Sequence, residues 1–238
     1  MLLCCLPVFG QAQFEAATVR ISKGDTKGTS GYTKSGQLTL FKADMRGLVL
    51  TAFDVRLNAV IGAPSWFDSD HFDVVAKAAP GTSFDDMRVM LQGLLAERFQ
   101  LELHWDKKVM PAYALTVAKG GPKLQASTAA EPSCGPGMSV KPGMLHITCK
   151  MVDSLSGVIS GMAGGYLDGL PVVDQTGLKG PWDFTLDFTP KAQYDTATGP
   201  AVSYFEALEQ QLGLHLEPKK LPVRVLVIDH ANREPSGN

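Results

Sequence analysis

The sequence predicts an α+β fold made of two similar halves, each with the element order β-α-β-β-α-β-β and a mostly antiparallel sheet. The segments at 36–48 and 143–155 resemble each other, and in both an alternating apolar pattern gives way to spacings of three and four. Amphipathic helices that run directly into alternating strands are predicted at 84–104 and 202–217. Two helices packed on one face of an antiparallel sheet in each half make an α+β layer architecture.

The first elements of each half align through their opening glycines. FEAATVRIS at 14–22 predicts an additional strand at the front of the first half. Aligning Gly36 with Gly143 pairs Leu38 with Leu145, so alternate apolar residues of both strands would face a core.

The later elements follow the same order in both halves. Residues 58–78 and 170–188 each predict a short β-branched strand, a turn, and a strand that begins with an aromatic residue and an aspartate. This alignment places Asp73 opposite Asp183. Closing strands are predicted from the patterns YALTVAK and VRVLVIDH.

The predicted boundaries follow from composition. Residues 14–125 form the first half and residues 143–232 the second. Residues 126–142, rich in Gly, Pro, Ser and Ala, are predicted to be a linker loop. Residues 233–238 are predicted to be a disordered tail.

The cysteines and the N-terminus indicate an exported protein. Residues 1–13 have the length of the apolar region of a signal peptide but lack its positive start, so we interpret them as a signal-peptide remnant. The alternative is a buried N-terminal strand. Cys134 and Cys149 remain after cleavage, and an even pair in an exported protein predicts one disulfide. The expected location is secreted or periplasmic.

Bulk properties and missing motifs exclude several classes. A net charge of −2 with scattered basic residues argues against a nucleic-acid partner. No apolar run reaches the roughly 18 residues that span a bilayer, so the chain is not expected to be membrane-spanning after signal cleavage. The stretch at 23–36 resembles a phosphate loop but precedes a strand rather than a helix, which favours a hairpin loop. No nucleophile elbow, zinc-peptidase motif or dinucleotide fingerprint is present, and no cofactor is predicted.

The segment WFDSDHFDV at 66–74 has the highest density of ionisable groups. Asp68, Asp70, His71 and Asp73 would suit a divalent cation or an acid–base site. The second half keeps only the aspartate of this pattern, which favours a turn in which an Asp accepts backbone N–H groups. We therefore predict no metal site, and keep Asp68, Asp70 and His71 as candidate binding residues.

A glycine-rich segment at 160–173 offers a second candidate surface. Tyr166 and Leu167 are expected to be exposed on a mobile loop, where they would serve as a binding anchor. The alternative is a helix C-cap followed by a turn.

Seven segments together resemble one known family. They are FEAATVRIS, SWFDSDHFDV, MLQGLLAERFQLELH, YALTVAKGGPKL, VVDQTGL, FTLDFTP and VLVIDH. They resemble successive segments of a large paralogous family of exported acidobacterial proteins of unknown function, over about residues 14–232. The resemblance implies an exported location and brings no catalytic residues. In pattern, each half also resembles the short N-terminal domain of secretins and TonB-dependent receptors, which serves in protein–protein contact.

These observations predict a non-enzymatic binding or protein-interaction module that acts outside the cytoplasm on a protein partner or a small ligand. Its sheet edges and the loop at 160–170 would form the contact surface. The alternatives are a hydrolase with a site in the cleft between the halves and an extracytoplasmic small-ligand sensor. Sequence alone gives no basis for choosing a Ser–His–Asp triad among the five histidines.

Overall fold

The computed structural model describes residues 13–24, 30–33, 35–137 and 143–237, and it confirms the α+β class. The predicted signal-peptide remnant lies outside the described residues apart from Gln13, and so does much of the predicted hairpin loop at 23–36. No helix in the described part of the chain is long and apolar enough to cross a membrane.

The chain divides into two compact units. Unit 1 comprises Met1–Asp106 and Arg224–Asn238, and unit 2 comprises Lys107–Val223. Each unit contains a four-stranded antiparallel sheet with helices on one face.

The sheet of unit 1 has the strand order β1-β5-β3-β2. Its strands, together with the short strand β4 of the same unit, are β1 (Ala16–Ile21), β2 (Gly31–Tyr32), β3 (Gln37–Asp44), β4 (Val60–Ile61) and β5 (His71–Lys77). Its helices are α1 (Met45–Phe53), α2 (Trp66–Ser69) and α3 (Phe84–Phe99).

Alternation along β5 determines which side of this sheet carries the core. Phe72, Val74 and Ala76 are buried against the helices, whereas Val75 and Lys77 are exposed on the opposite face. We call that opposite side the outer face. The helices begin at side-chain caps: the carboxylate of Asp44 accepts the Gly47 N–H at the start of α1, and the hydroxyl of Ser83 accepts the Asp86 N–H at the start of α3.

The sheet of unit 2 has the order β7-β11-β9-β8, which repeats the order of unit 1 strand for strand. Its strands, together with the short strand β10, are β7 (Gln125–Ala126), β8 (Ser133–Pro136), β9 (Leu145–Val152), β10 (Val172–Asp174) and β11 (Trp182–Phe188). Its helices are α4 (Leu155–Met162), α5 (Lys191–Tyr194) and α6 (Tyr204–Ala207), the last continued by a π-helical turn at Leu208–Leu212. The hydroxyl of Ser203 and the carboxylate of Glu206 form a capping box at α6.

Two long strands, β6 (Glu102–Val117) and β12 (Leu214–His230), contribute residues to both units. In unit 1, β4 pairs in parallel with the end of β12. In unit 2, β10 pairs in parallel with the end of β6. Each unit therefore takes its closing strand from the other half of the sequence, and its boundaries differ from the predicted limits of 14–125 and 143–232.

The two aspartates that the repeat aligns occupy equivalent positions. In unit 1, Lys42 has a φ of 50° and its N–H donates to Asp73 Oδ1 at 3.0 Å. In unit 2, Met151 has a φ of 53° and its N–H donates to Asp183 Oδ1 at 2.9 Å. In both strands the carboxylate satisfies a backbone N–H that a bulge removes from the ladder.

The predicted alignment of Leu38 with Leu145 is wrong by two residues. Leu38 pairs with Ala76 of β5. The equivalence of Asp73 and Asp183 makes Ala76 equivalent to Leu186 of β11, which pairs with Ile147. Leu38 is therefore equivalent to Ile147 and not to Leu145. A shift of two residues leaves every side chain on the same face of a strand, so alternation alone does not detect it.

Two segments predicted to lack order make specific contacts. Within the predicted linker, Ser133–Pro136 forms the strand β8. In the predicted disordered tail, the guanidinium of Arg233 donates to Asp70, and the Ser236 N–H donates to the carbonyl of Arg98 at 2.7 Å. Both predictions rested on composition, which does not detect pairing with residues that are distant in the sequence.

Candidate functional site

Two of the three aspartates of WFDSDHFDV are each paired with a separate arginine. Asp68 receives two hydrogen bonds from Arg46 of α1, one of them at 2.7 Å from Nη2 to Oδ2. Asp70 receives hydrogen bonds from Arg233 at 2.5 and 3.1 Å. These guanidinium hydrogen bonds hold the pKa of each carboxyl group below its usual range. The arrangement is therefore two ion pairs and not a shared site.

Asp70 and His71 do line one cavity of about 460 Å³ in unit 1, together with Ser22 and Arg233. Asp68 is not among the described residues that line it. Among the described residues there is no group of three His, Cys, Asp or Glu side chains that could hold a metal ion. The turn interpretation of this segment fits its geometry: Phe72 and Val74 are buried, His71 is exposed, and Asp73 between them accepts the Lys42 N–H.

The prediction that Tyr166 and Leu167 are exposed is wrong. They are only 5% and 4% exposed. The Tyr166 hydroxyl donates to the carbonyl of Thr189 at 2.7 Å, and its ring stacks on Tyr204 with a centroid separation of 5.8 Å. Glycines let the chain fold back at this point, so that the intervening aromatic side chain enters the core of unit 2.

The two cysteines retained after the predicted cleavage form a pair. Cys134 of β8 lies directly opposite Cys149 of β9 in the strand register, and the two are disulfide-bonded with a Cα–Cα distance of 4.1 Å. The bridge fastens the edge strand β8 to the sheet of unit 2.

The outer face of the unit 1 sheet carries an open, mostly apolar cavity of about 600 Å³, which we call the unit 1 groove. Val75 lines the groove and pairs with Thr18 of β1 on one side and Thr39 of β3 on the other. The residues that line the groove are Ala16, Ala17, Thr18, Ser35, Gln37, Val75, Ala76, Lys77 and Pro80.

The outer face of the unit 2 sheet carries a chain of hydrogen bonds among three side chains, which we call the unit 2 array. Asp187 Oδ1 lies 2.7 Å from His146 Nδ1, and His146 Nε2 lies 3.3 Å from Thr148 Oγ1. His146 and Thr148 are two residues apart on β9, and Asp187 of β11 is the register partner of His146. A cavity of about 350 Å³ adjoins the array at Thr148.

Unit 1 holds an equivalent set of residues that lacks the imidazole and the carboxylate. By strand register, Gln37 is equivalent to His146, Thr39 to Thr148, and Lys77 to Asp187. Gln37 Nε2 donates to Thr39 Oγ1 at 3.3 Å, the same separation as in unit 2. The hydroxyl is kept in both units, whereas the imidazole and the carboxylate occur in unit 2 alone among these equivalent positions.

The sequence contains only a weak signal for the unit 2 array. The alternation of β9 places His146 and Thr148 on one face, but bringing Asp187 to them requires the β9–β11 register.

Comparisons with known proteins give the family. A family model described as "Protein of unknown function (DUF3738)" matches residues 46–231. A comparison with curated proteins found no match. A comparison with solved structures found none. Because the family model matches well over half of the chain, this chain belongs to the DUF3738 family of proteins of unknown function.

Proposed function

We propose that this protein is a binding module that acts outside the cytoplasm and takes an extended peptide segment of a partner protein in the unit 1 groove. The observation that carries the proposal is the groove itself. Its volume of about 600 Å³ falls in the range of roughly 300–1,000 Å³ found for ligand sites. Its floor is formed by residues of the neighbouring strands β1, β5 and β3, a sheet surface on which an extended chain can lie.

The side chains of the groove indicate the chemistry of the peptide. Val75, which is 37% exposed, and the neighbouring alanines offer apolar contact. Of the nine described residues that line the groove, Lys77 alone is charged. Gln37 and Thr18 add hydrogen-bonding groups. The peptide that complements this surface is apolar with one acidic residue placed against Lys77.

Three observations support a secreted or periplasmic location. The Cys134–Cys149 pair is typical of oxidising compartments. The sequence resembles an exported acidobacterial family, and its first residues resemble the apolar region of a signal peptide.

The test is peptide selection followed by titration. A display library of random peptides is selected on the purified protein, and we expect enriched sequences that combine apolar residues with one Asp or Glu. Val75→Arg and Lys77→Glu should each weaken binding of a selected peptide by about tenfold or more, which corresponds to about 1.4 kcal/mol.

The matched control is Thr185→Arg, because Thr185 occupies the position in unit 2 that is equivalent to Val75. This variant should bind the selected peptide as the unchanged protein does. Selected peptides that bind the Val75→Arg and Lys77→Glu variants at full affinity would rule out the groove as the site.

A further inference from the structure

The unit 2 array has the connectivity of a nucleophile, a base and an orienting carboxylate. We infer that it forms an acyl-transfer site that hydrolyses activated esters, with Thr148 as nucleophile and His146 as general base. Asp187 is the positioning residue. This activity goes beyond the proposed peptide binding and uses different residues in a different unit.

The hydrogen bonds assign the protons of the imidazole. Asp187 Oδ1 lies 2.7 Å from Nδ1, so the carboxylate holds the N–H on that nitrogen. Nε2 is then left with its lone pair towards Thr148 Oγ1, 3.3 Å away. This is the tautomer that a base needs in order to take a proton from a hydroxyl group.

Neighbouring backbone fixes the imidazole of His146. The Gly137 N–H donates to the carbonyl of His146 at 2.9 Å. A Cβ added at Gly137 would lie only 2.9 Å from His146 Cδ2, so the ring packs closely against bare backbone. Glycine at 137 therefore makes room for the ring and limits its movement.

The backbone that carries the Asp187 carboxylate is also held in place. The side chain of Gln211 accepts the Asp187 N–H at 2.9 Å and donates to the Asp187 carbonyl at 2.7 Å. These two bonds fix the backbone of β11 on its side away from β9, where β7 pairs only with Trp182 and Asp183 among the described residues. Such support from surrounding groups is what keeps a catalytic geometry in place.

The adjoining cavity of about 350 Å³ has room for a small acyl group. Lys150 and Gln125 line it beside Thr148, and a lysine ammonium stabilises negative charge that develops on a carbonyl oxygen. Flexible side-chain donors organise an oxyanion less tightly than fixed backbone N–H groups. The substrates we assign are therefore esters with a stable leaving group, such as aryl esters of short acids.

The reaction consists of two half-reactions. Thr148 Oγ attacks the ester carbonyl carbon while the hydroxyl proton moves to His146 Nε2. The tetrahedral intermediate then expels the aryl oxide, which takes the proton from His146 Nε2 and leaves as the phenol. Water next attacks the acyl-threonine, and His146 accepts a proton from the water. Collapse returns the proton to Thr148 Oγ and releases the carboxylic acid.

The test uses steady-state hydrolysis of p-nitrophenyl acetate by the full chain. The unchanged protein should turn over the ester above the buffer rate. Thr148→Ala and His146→Gln should each lower kcat/KM by about 10²-fold. Because unit 1 natively pairs Gln37 with Thr39, His146→Gln reproduces a hydrogen bond that this fold already contains. Circular dichroism and melting temperature check that both variants fold.

The matched control is Thr39→Ala, which removes the equivalent hydroxyl from unit 1 and should leave hydrolysis unchanged. Mass spectrometry of protein quenched during turnover should find the acetyl group on the peptide that contains Thr148. A rate no higher than buffer, full activity in Thr148→Ala, or an equal loss in Thr39→Ala would each overturn the inference. Binding of selected peptides at the unit 1 groove is unaffected by Thr148→Ala, so either proposal can fail alone.

Discussion

Replacing Phe72 by alanine tests whether WFDSDHFDV is a structural segment. Phe72 is 1% exposed in the core of unit 1. Its ring lies 4.9 Å from that of Phe99, edge to face, and 6.5 Å from that of Trp66. The side chain thus joins β5 to the end of α3 and to α2.

The expected cost follows from these contacts. Emptying a buried aromatic site costs about 3–5 kcal/mol. Two aromatic partners place Phe72 in the upper part of that range, because each edge-to-face pair is worth about 0.5–1.5 kcal/mol beyond burial. A loss of about 4–5 kcal/mol is a large fraction of the roughly 5–15 kcal/mol that stabilises a typical domain.

Urea unfolding of Phe72→Ala, followed by circular dichroism, measures this loss of unfolding free energy. The matched control is His71→Ala, at the exposed neighbouring position of the same strand, which should change the unfolding free energy by no more than about 0.5 kcal/mol. If Phe72→Ala costs under 1 kcal/mol, or if a chelator lowers the melting temperature of the unchanged protein, the structural interpretation of this segment is refuted.

Three further predictions concern other parts of the chain. Peptide mapping without reduction should recover Cys134 joined to Cys149, and recovery of the two cysteines in separate peptides would contradict the bridge. Reduction should lower the unfolding free energy by about 3 kcal/mol, the value for a closed loop of 15 residues. Hydrogen bonds from the Ser127 hydroxyl and the Met151 N–H lower the pKa of Asp183 in the folded protein. The ionised Asp183 carboxylate therefore stabilises the folded protein above the ordinary Asp pKa of about 3.9, and this contribution is lost as the pH falls through the lower folded pKa. Asp183→Asn should therefore make acid unfolding less steep than in the unchanged protein, and an identical acid titration would contradict the assignment. Gly213 has a φ of 64°, and a Cβ there would lie 2.0 Å from the carbonyl oxygen of Gly121. Gly177 has a similar φ but open space around the position of a Cβ. Gly213→Ala should therefore lower the unfolding free energy more than Gly177→Ala does.

Local pattern predicted the elements of the fold better than it predicted their pairing. The strands at 37–44 and 145–152 and the helices that follow them were predicted from alternation and spacing. The partner strands β7 and β8 were missed, because two- and four-residue strands in a Gly- and Pro-rich segment have too few side chains to show a period. Their existence depends on the β9 and β11 edges they join.

The candidate sites were predicted less well, for the same physical reason. Tyr166 was predicted to be exposed because glycines surround it, but a tyrosine whose hydroxyl has a backbone partner can be buried at little cost. Asp70 is neutralised by Arg233, far away in the sequence. The hydroxyl–imidazole–carboxylate contact depends on the register between β9 and β11, which no local pattern contains.

The exchange of closing strands explains why a contiguous repeat does not give contiguous units. The alternation of the segment at 113–119 correctly indicates a strand, but in unit 2 that strand pairs with β10, which lies in the second half of the sequence. The strand at 223–230 likewise pairs with β4 in unit 1. In a fragment cut at the predicted linker, the backbone of Val60 and Ile61 would lose its pairing partners in β12, Leu226 and Val227. The core of unit 1 would also lose the side chains of Leu226 and Ile228. Each half of the sequence supplies its own four-stranded sheet and helices, yet each unit also needs a strand from the other half, so we expect neither half of the sequence to fold alone.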